Sequence, residues 1–105
     1  MDPSSVKVRF SPDMKQALSD LAAAVHFSDH FDPEMGEILE NWGATGKGSN
    51  LHGFLGVLPH IAAETFRHIH ATGDKRAEEA WSQISALMME NGYILERDRN
   101  HARER

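Results

Sequence analysis

Val6-Lys7-Val8-Arg9-Phe10-Ser11-Pro12-Asp13 decides how the fold begins, because its two halves follow two different periods. Residues 6–10 alternate apolar and basic side chains, the period of two that marks a half-buried β-strand, and Val6 and Val8 are β-branched. Ser11-Pro12-Asp13 then supplies an N-cap hydroxyl, a proline suited to the first helical turn, and an acid at the positive end of the helix dipole. A strand therefore runs straight into a helix. No second strand is evident in the sequence, and a five-residue strand cannot leave its backbone groups unpaired. Pairing with the same strand of another copy is the expected remedy.

Working outward, Met14, Leu18, Leu21, Ala22 and Val25 form one apolar stripe, which predicts a first helix over 12–26. Asp32-Pro33-Glu34 repeats the cap-then-proline grammar, and Met35, Ile38, Leu39 and Trp42 give a second helix that Gly43 is placed to end. Residues 44–50 are glycine-rich and read as a linker. They lack the Lys-Ser/Thr ending and the preceding strand of a phosphate-binding loop. From Leu51 to Ile69 a helical pattern runs across Pro59, which predicts a helix in two pieces. Thr72-Gly73-Asp74 closes it and caps a last helix bearing Ala77, Ala80, Trp81, Ile84, Leu87 and Met88, up to Gly92.

Residues 93–95 pack back or extend, and residues 96–105 suit a frayed helix or mobile tail. The expected fold is mostly α, with one short N-terminal β-strand followed by about four helices, and the strand paired across a homodimer. Its parts are 1–43, a linker at 44–50, a helical hairpin at 51–95 and a charged tail at 96–105, all within one compact domain.

Composition narrows the chemistry. A chain of 105 residues without cysteine excludes disulfides, thiolate nucleophiles and cysteine-ligated metals. Net charge is −5, which does not favour nucleic acid, although full protonation of the seven histidines would move it to +2. No apolar run approaches the roughly 18 residues of a membrane span, and the first residues do not read as a signal peptide, so a cytoplasmic protein without membrane contact is expected.

Residues 6–22, a basic strand running into a proline-capped helix, resemble the opening of ribbon-helix-helix DNA-binding proteins. The resemblance extends to residues 5–42 at most. It implies that two copies of the strand pair antiparallel and enter the major groove, with Ser5, Lys7 and Arg9 facing outward to DNA and Val6, Val8 and Phe10 facing a shared core. Arg9 would bond two acceptors on a guanine edge, and Lys7 would meet a base or phosphate. On this reading the protein is a non-enzymatic regulator or accessory protein acting on a short DNA site.

Six acids, Asp20, Asp29, Asp32, Glu34, Glu37 and Glu40, lie between Lys15 and Lys47 with no Lys or Arg among them. They support the alternative of a small acidic inhibitor or adaptor that binds a basic surface of a partner protein. His60, Glu64 and His68, at i, i+4 and i+8, are the candidates for a metal site, although one helix seldom supplies a complete ligand shell. No serine or threonine stands beside a recognisable base and acid, so neither catalysis nor a cofactor is expected.

Overall fold

The alternating segment forms strand β1 (Val6–Phe10) in the computed structural model, which describes residues 6–90 and 92–97. It is followed by α1 (Pro12–Val25), α2 (Pro33–Thr45), β2 (Lys47–Asn50), α3 (Leu51–Thr72), α4 (Lys75–Met89) and β3 (Tyr93–Arg97). The fold is mostly helical, with one small sheet. That sheet adds two strands to the one expected: β1 is its central strand, in the order β2-β1-β3, and both flanking strands are antiparallel and belong to the same chain. The missing hydrogen bonds are thus supplied internally. A two-stranded ribbon between copies would require β2 or β3 to be displaced.

Two segments differ from their sequence reading for the same reason. Residues 44–50 are the end of α2, a left-handed cap at Gly46 with φ of 72°, and then β2. The register slips by one residue between Lys7↔Asn50 and Arg9↔Lys47, so β2 is bulged, and its Gly48 lies under the Phe10 ring, where a Cβ would come within 3.0 Å. Residues 93–97 pair with the whole length of β1, from Val6↔Arg97 to Phe10↔Tyr93. Residues 98–105, the rest of the expected tail, lie outside the described residues.

The helices start as read. Ser11 Oγ accepts from the Met14 amide at 3.2 Å, and Asp32 Oδ1 accepts from the Glu34 amide at 2.9 Å, each ahead of a proline. α3 is continuous through Pro59, unlike the two pieces expected. Pro59 and Leu55 are both exposed, so the Leu55 carbonyl that loses its donor can turn to water.

One core takes residues from every helix and from the inner face of the sheet, including Val8, Leu18, Leu39, Ile61 and Ile84. α1 carries most of the helix packing, against both α2 and α4. Beneath the sheet, Phe10, Trp42, Phe54 and Tyr93 form an aromatic cluster with ring centroids 5.4 to 5.9 Å apart. Pairs at this separation add about 1 kcal/mol beyond their area.

Gly43 does not end α2. It is buried at the crossing with α1, where a Cβ would stand 2.9 Å from the Ser19 amide nitrogen, closer than real contacts allow. Gly43→Ala is expected to push the two helices apart and lower unfolding free energy by about 2 kcal/mol, despite its better helix propensity. Urea denaturation measures this; a neutral or stabilising effect would contradict the crossing.

Candidate functional site

Antiparallel register assigns the sheet's outer face. Lys7 and Arg9 are exposed on β1, opposite Glu96 and Ile94 on β3 and opposite Asn50 and Lys47 on β2. The sequence-predicted pair therefore does share an uncovered face, and Lys47 joins it. Arg9 is already engaged: its Nε donates to Glu96 Oε2 at 3.1 Å, an exposed pair worth at most about 1 kcal/mol. Ser5, the third predicted residue, lies outside the described residues.

The six acids divide. Asp20 is on α1, accepting from Gln16 Nε2 at 2.9 Å and facing Arg76 across a shallow groove against α4. Asp32 is structural, capping α2 while its own amide donates to Glu64 Oε1 at 2.7 Å. Asp29, Glu34, Glu37 and Glu40 remain exposed on the α1–α2 connection and the outer flank of α2. None of these four is paired with a Lys or Arg among the described residues. Glu40 approaches His26 at 3.8 Å, and His26 in turn meets the edge of Phe27, with centroids 4.5 Å apart.

Phe27 is 91% exposed. Between the end of α1 and α2 runs a groove of about 190 Å³ lined by Val25, His26, Phe31, Glu37 and Glu40. The connection thus carries a bare aromatic side chain, and the adjoining flank of α2 carries carboxylates without a Lys or Arg partner among the described residues. Sequence reasoning found the acids but passed over Phe27, because nothing local distinguishes an exposed phenylalanine in a connection from a buried one.

His60, Glu64 and His68 do not converge. His60 is exposed, Glu64 is buried and bonded to Asp32 and Arg67, and His68 is buried and turned elsewhere. Among the described residues no group of three His, Asp or Glu side chains could hold a metal ion.

His68 belongs to a constellation that the sequence reading missed. Its Nε2 lies 2.8 Å from Asp74 Oδ2 and its Nδ1 lies 2.6 Å from Ser28 Oγ. A carboxylate can only accept, so Nε2 carries a proton and donates to Asp74; in the neutral tautomer with that proton, Nδ1 accepts from the serine hydroxyl. Hydroxyl, imidazole and carboxylate in this order are what activates a catalytic serine. Ser28 Oγ also accepts from the His30 amide at 3.0 Å, and the groove it lines carries Asp32, Glu37 and Glu40 together with His26. Asp74 Oδ1 meanwhile caps α4, accepting from the Arg76 and Ala77 amides. The trio thus ties the α1–α2 connection to α3 and to the start of α4. Asp74 was legible as a cap; its partners, 6 and 46 residues away in sequence, carried no local signal.

Comparison with family models, curated proteins and solved structures finds no match, so the chemistry of these surfaces is the basis for a function.

The Asp74 carboxyl is held below its ordinary value of 3.8, first by the hydrogen bond from His68 and then by the Ala77 and Arg76 amides, with burial opposing. A depressed folded-state value stabilises fully above the ordinary carboxylate range, and the stabilisation is lost as pH falls through the lowered value. Asp74→Ala is expected to lose about 2 kcal/mol near neutral pH, from a missing cap and an unpaired buried imidazole N–H. The gap from wild type should narrow below pH 3.8. Urea unfolding at neutral and acid pH reads both effects; a gap that widens in acid would refute this assignment.

Proposed function

We propose that the protein is a non-enzymatic interaction module that holds a basic partner along the acidic flank of α2, with Phe27 as its anchor. The observation carrying this reading is the 91% exposure of Phe27 at the start of the α1–α2 connection, with Asp29 on that connection and Glu34, Glu37 and Glu40 on α2 exposed and unpaired with any Lys or Arg among the described residues. Uncompensated charge on one flank steers an oppositely charged surface into encounter, and rim charges of this kind act more on association rate than on lifetime. A phenylalanine that enters a partner's recess supplies the lasting contact, about 2 kcal/mol from its burial. The partner is then a protein presenting Lys or Arg around an apolar recess.

The open face of the sheet favours one further reading. Lys7, Arg9 and Lys47 are co-facial, and Asp29 and Glu34 lie about one helix length away, roughly 21 Å for the fourteen residues of α1. That distance exceeds the screening length of about 8 Å at physiological salt, so these two acids need not repel DNA from the sheet. DNA binding would then use a three-stranded face in place of an intersubunit ribbon.

Three variants separate the readings. Glu34→Lys with Glu37→Lys should abolish salt-sensitive capture of a basic partner from source-cell extract, and Phe27→Ala should weaken it about tenfold or more, with circular dichroism unchanged. The same partners bound equally by both variants would refute the acidic reading. Lys7→Glu with Arg9→Glu should leave that capture intact. If wild type binds a pool of short duplexes and this last variant does not, the sheet is the working face; equal DNA binding by both removes it.

A further inference from the structure

The acidic flank leaves unexplained a second surface, built by α3 and α4. A groove of about 440 Å³ runs between them, with Leu58 and Ala62 on one wall and Trp81, Ser85 and Met88 on the other. Large apolar side chains stand bare around it: Leu55 is 56% exposed, Phe66 57% and Met89 89%. Phe66 is steadied against Trp81 edge to face, at 6.0 Å between centroids. No Asp, Glu, Lys or Arg occurs from Leu51 to Ala63 in α3 or from Ala80 to Met89 in α4. An uncharged face of this size in a water-facing position marks an interface.

We infer that this face is a two-fold interface between two copies of the chain, with α3 crossing its mate antiparallel at Ala62. The first ground is the pattern of α3 itself. Leu55, Leu58, Ala62, Phe66 and Ile69 stand at −7, −4, 0, +4 and +7 from Ala62, all within one stripe of the helix. A two-fold contact requires that i meets j′ whenever j meets i′, and this stripe reads the same in both directions. Phe66 then meets the mate's Leu58, and Leu55 meets the mate's Ile69. Ala62, the smallest member, sits on the axis, where two helices must approach most closely.

The second ground is charge. Each copy carries −5, so two copies repel through most of their surfaces, and this face is where they meet without opposing like charges. A basic partner gains nothing here. The third ground is size. A helix about 10 Å across laid over ten residues displaces roughly 1,200 Å³, well beyond the groove, so an inserted peptide helix does not fit whereas interdigitating side chains do. α3 with 22 residues and α4 with 15 offer about 33 Å and about 22 Å of helix, each about 10 Å across, a face of roughly 550 Å² that makes a small interface beside the roughly 800 Å² per partner of a standard one.

The inference does not depend on the proposed basic partner. Sedimentation velocity across a concentration series is expected to give twice the 11.8 kDa chain mass for wild type. Phe66→Glu, at an exposed position, should raise the dimer dissociation constant at least about 30-fold with the circular dichroism spectrum unchanged. The chain has no cysteine, so Ala62→Cys tests the axis directly. Mild oxidation should link most Ala62→Cys chains into dimers, whereas Gln83→Cys, exposed on the flank of α4 that faces Asp20, should stay unlinked. A wild type that stays monomeric at about 100 μM, where a micromolar interface would be saturated, overturns the inference. So does a dimer that Phe66→Glu leaves intact and Ala62→Cys fails to link.

Discussion

A strand has hydrogen-bonding groups on two edges, and the need to pair both edges of β1 organises the rest of the chain. β2 follows α2 and β3 follows α4, so each helical pair must return its end to the same place beside residues 6–10. The Phe10 amide extends this beyond the strand by donating to the Gly46 carbonyl at 2.9 Å, and the Ser11 amide does so with the Gly92 carbonyl at 2.8 Å. Once β1 is flanked, its inner side chains are fixed over the helices. Phe10 then meets Trp42 from α2 and Phe54 from α3, while Tyr93 closes the cluster from β3. The parts before and after residues 44–50 thereby share one core.

The opposite end of the molecule is closed by polar groups. Ser28, His68 and Asp74 bridge the α1–α2 connection, α3 and α4, and the Asp32 amide donates to Glu64 from the same connection. Buried polar groups of this kind stabilise only when every member is satisfied, and among the described residues none is left without a partner. α1 spans the distance between the two closures. This explains why it is the most enclosed helix, with Met14, Ala17, Leu18, Leu21, Ala22 and Val25 all buried.

What was legible in the sequence is what local physics determines. β1 shows in its alternation, the starts of α1 and α2 in a capping side chain followed by proline, and the core in the 3.6-residue period. β2 was hidden because Lys47-Gly48-Ser49-Asn50 has no strand propensity and owes its extended form to β1 beside it. β3 was hidden because Ile94 and Leu95 are adjacent and both exposed, which breaks the alternation that reveals a strand. Gly43 read as a helix end because a glycine that ends a helix and one that admits a neighbouring helix look alike until the neighbour is placed. Of the candidate surfaces, the acids and the basic pair were visible as composition. Phe27 and the Ser28–His68–Asp74 trio were not, since exposure and convergence are properties of the fold.

The three faces left open by this architecture differ in the partner each tolerates. The outer side of the sheet presents Lys7, Arg9 and Lys47 with Glu96 and a bare Ile94 among them, a surface of mixed character. The flank of α2 is acidic throughout, so it repels its own kind and attracts cations. The α3–α4 face carries no fixed charge across two runs of helix and exposes side chains that water solvates poorly. If two copies meet there, α1 separates that face from α2 within each copy, so both acidic flanks stay open. Like charges on those flanks are then held apart, and two flanks on one particle bind a basic surface with greater avidity than one, provided their spacing lets both engage.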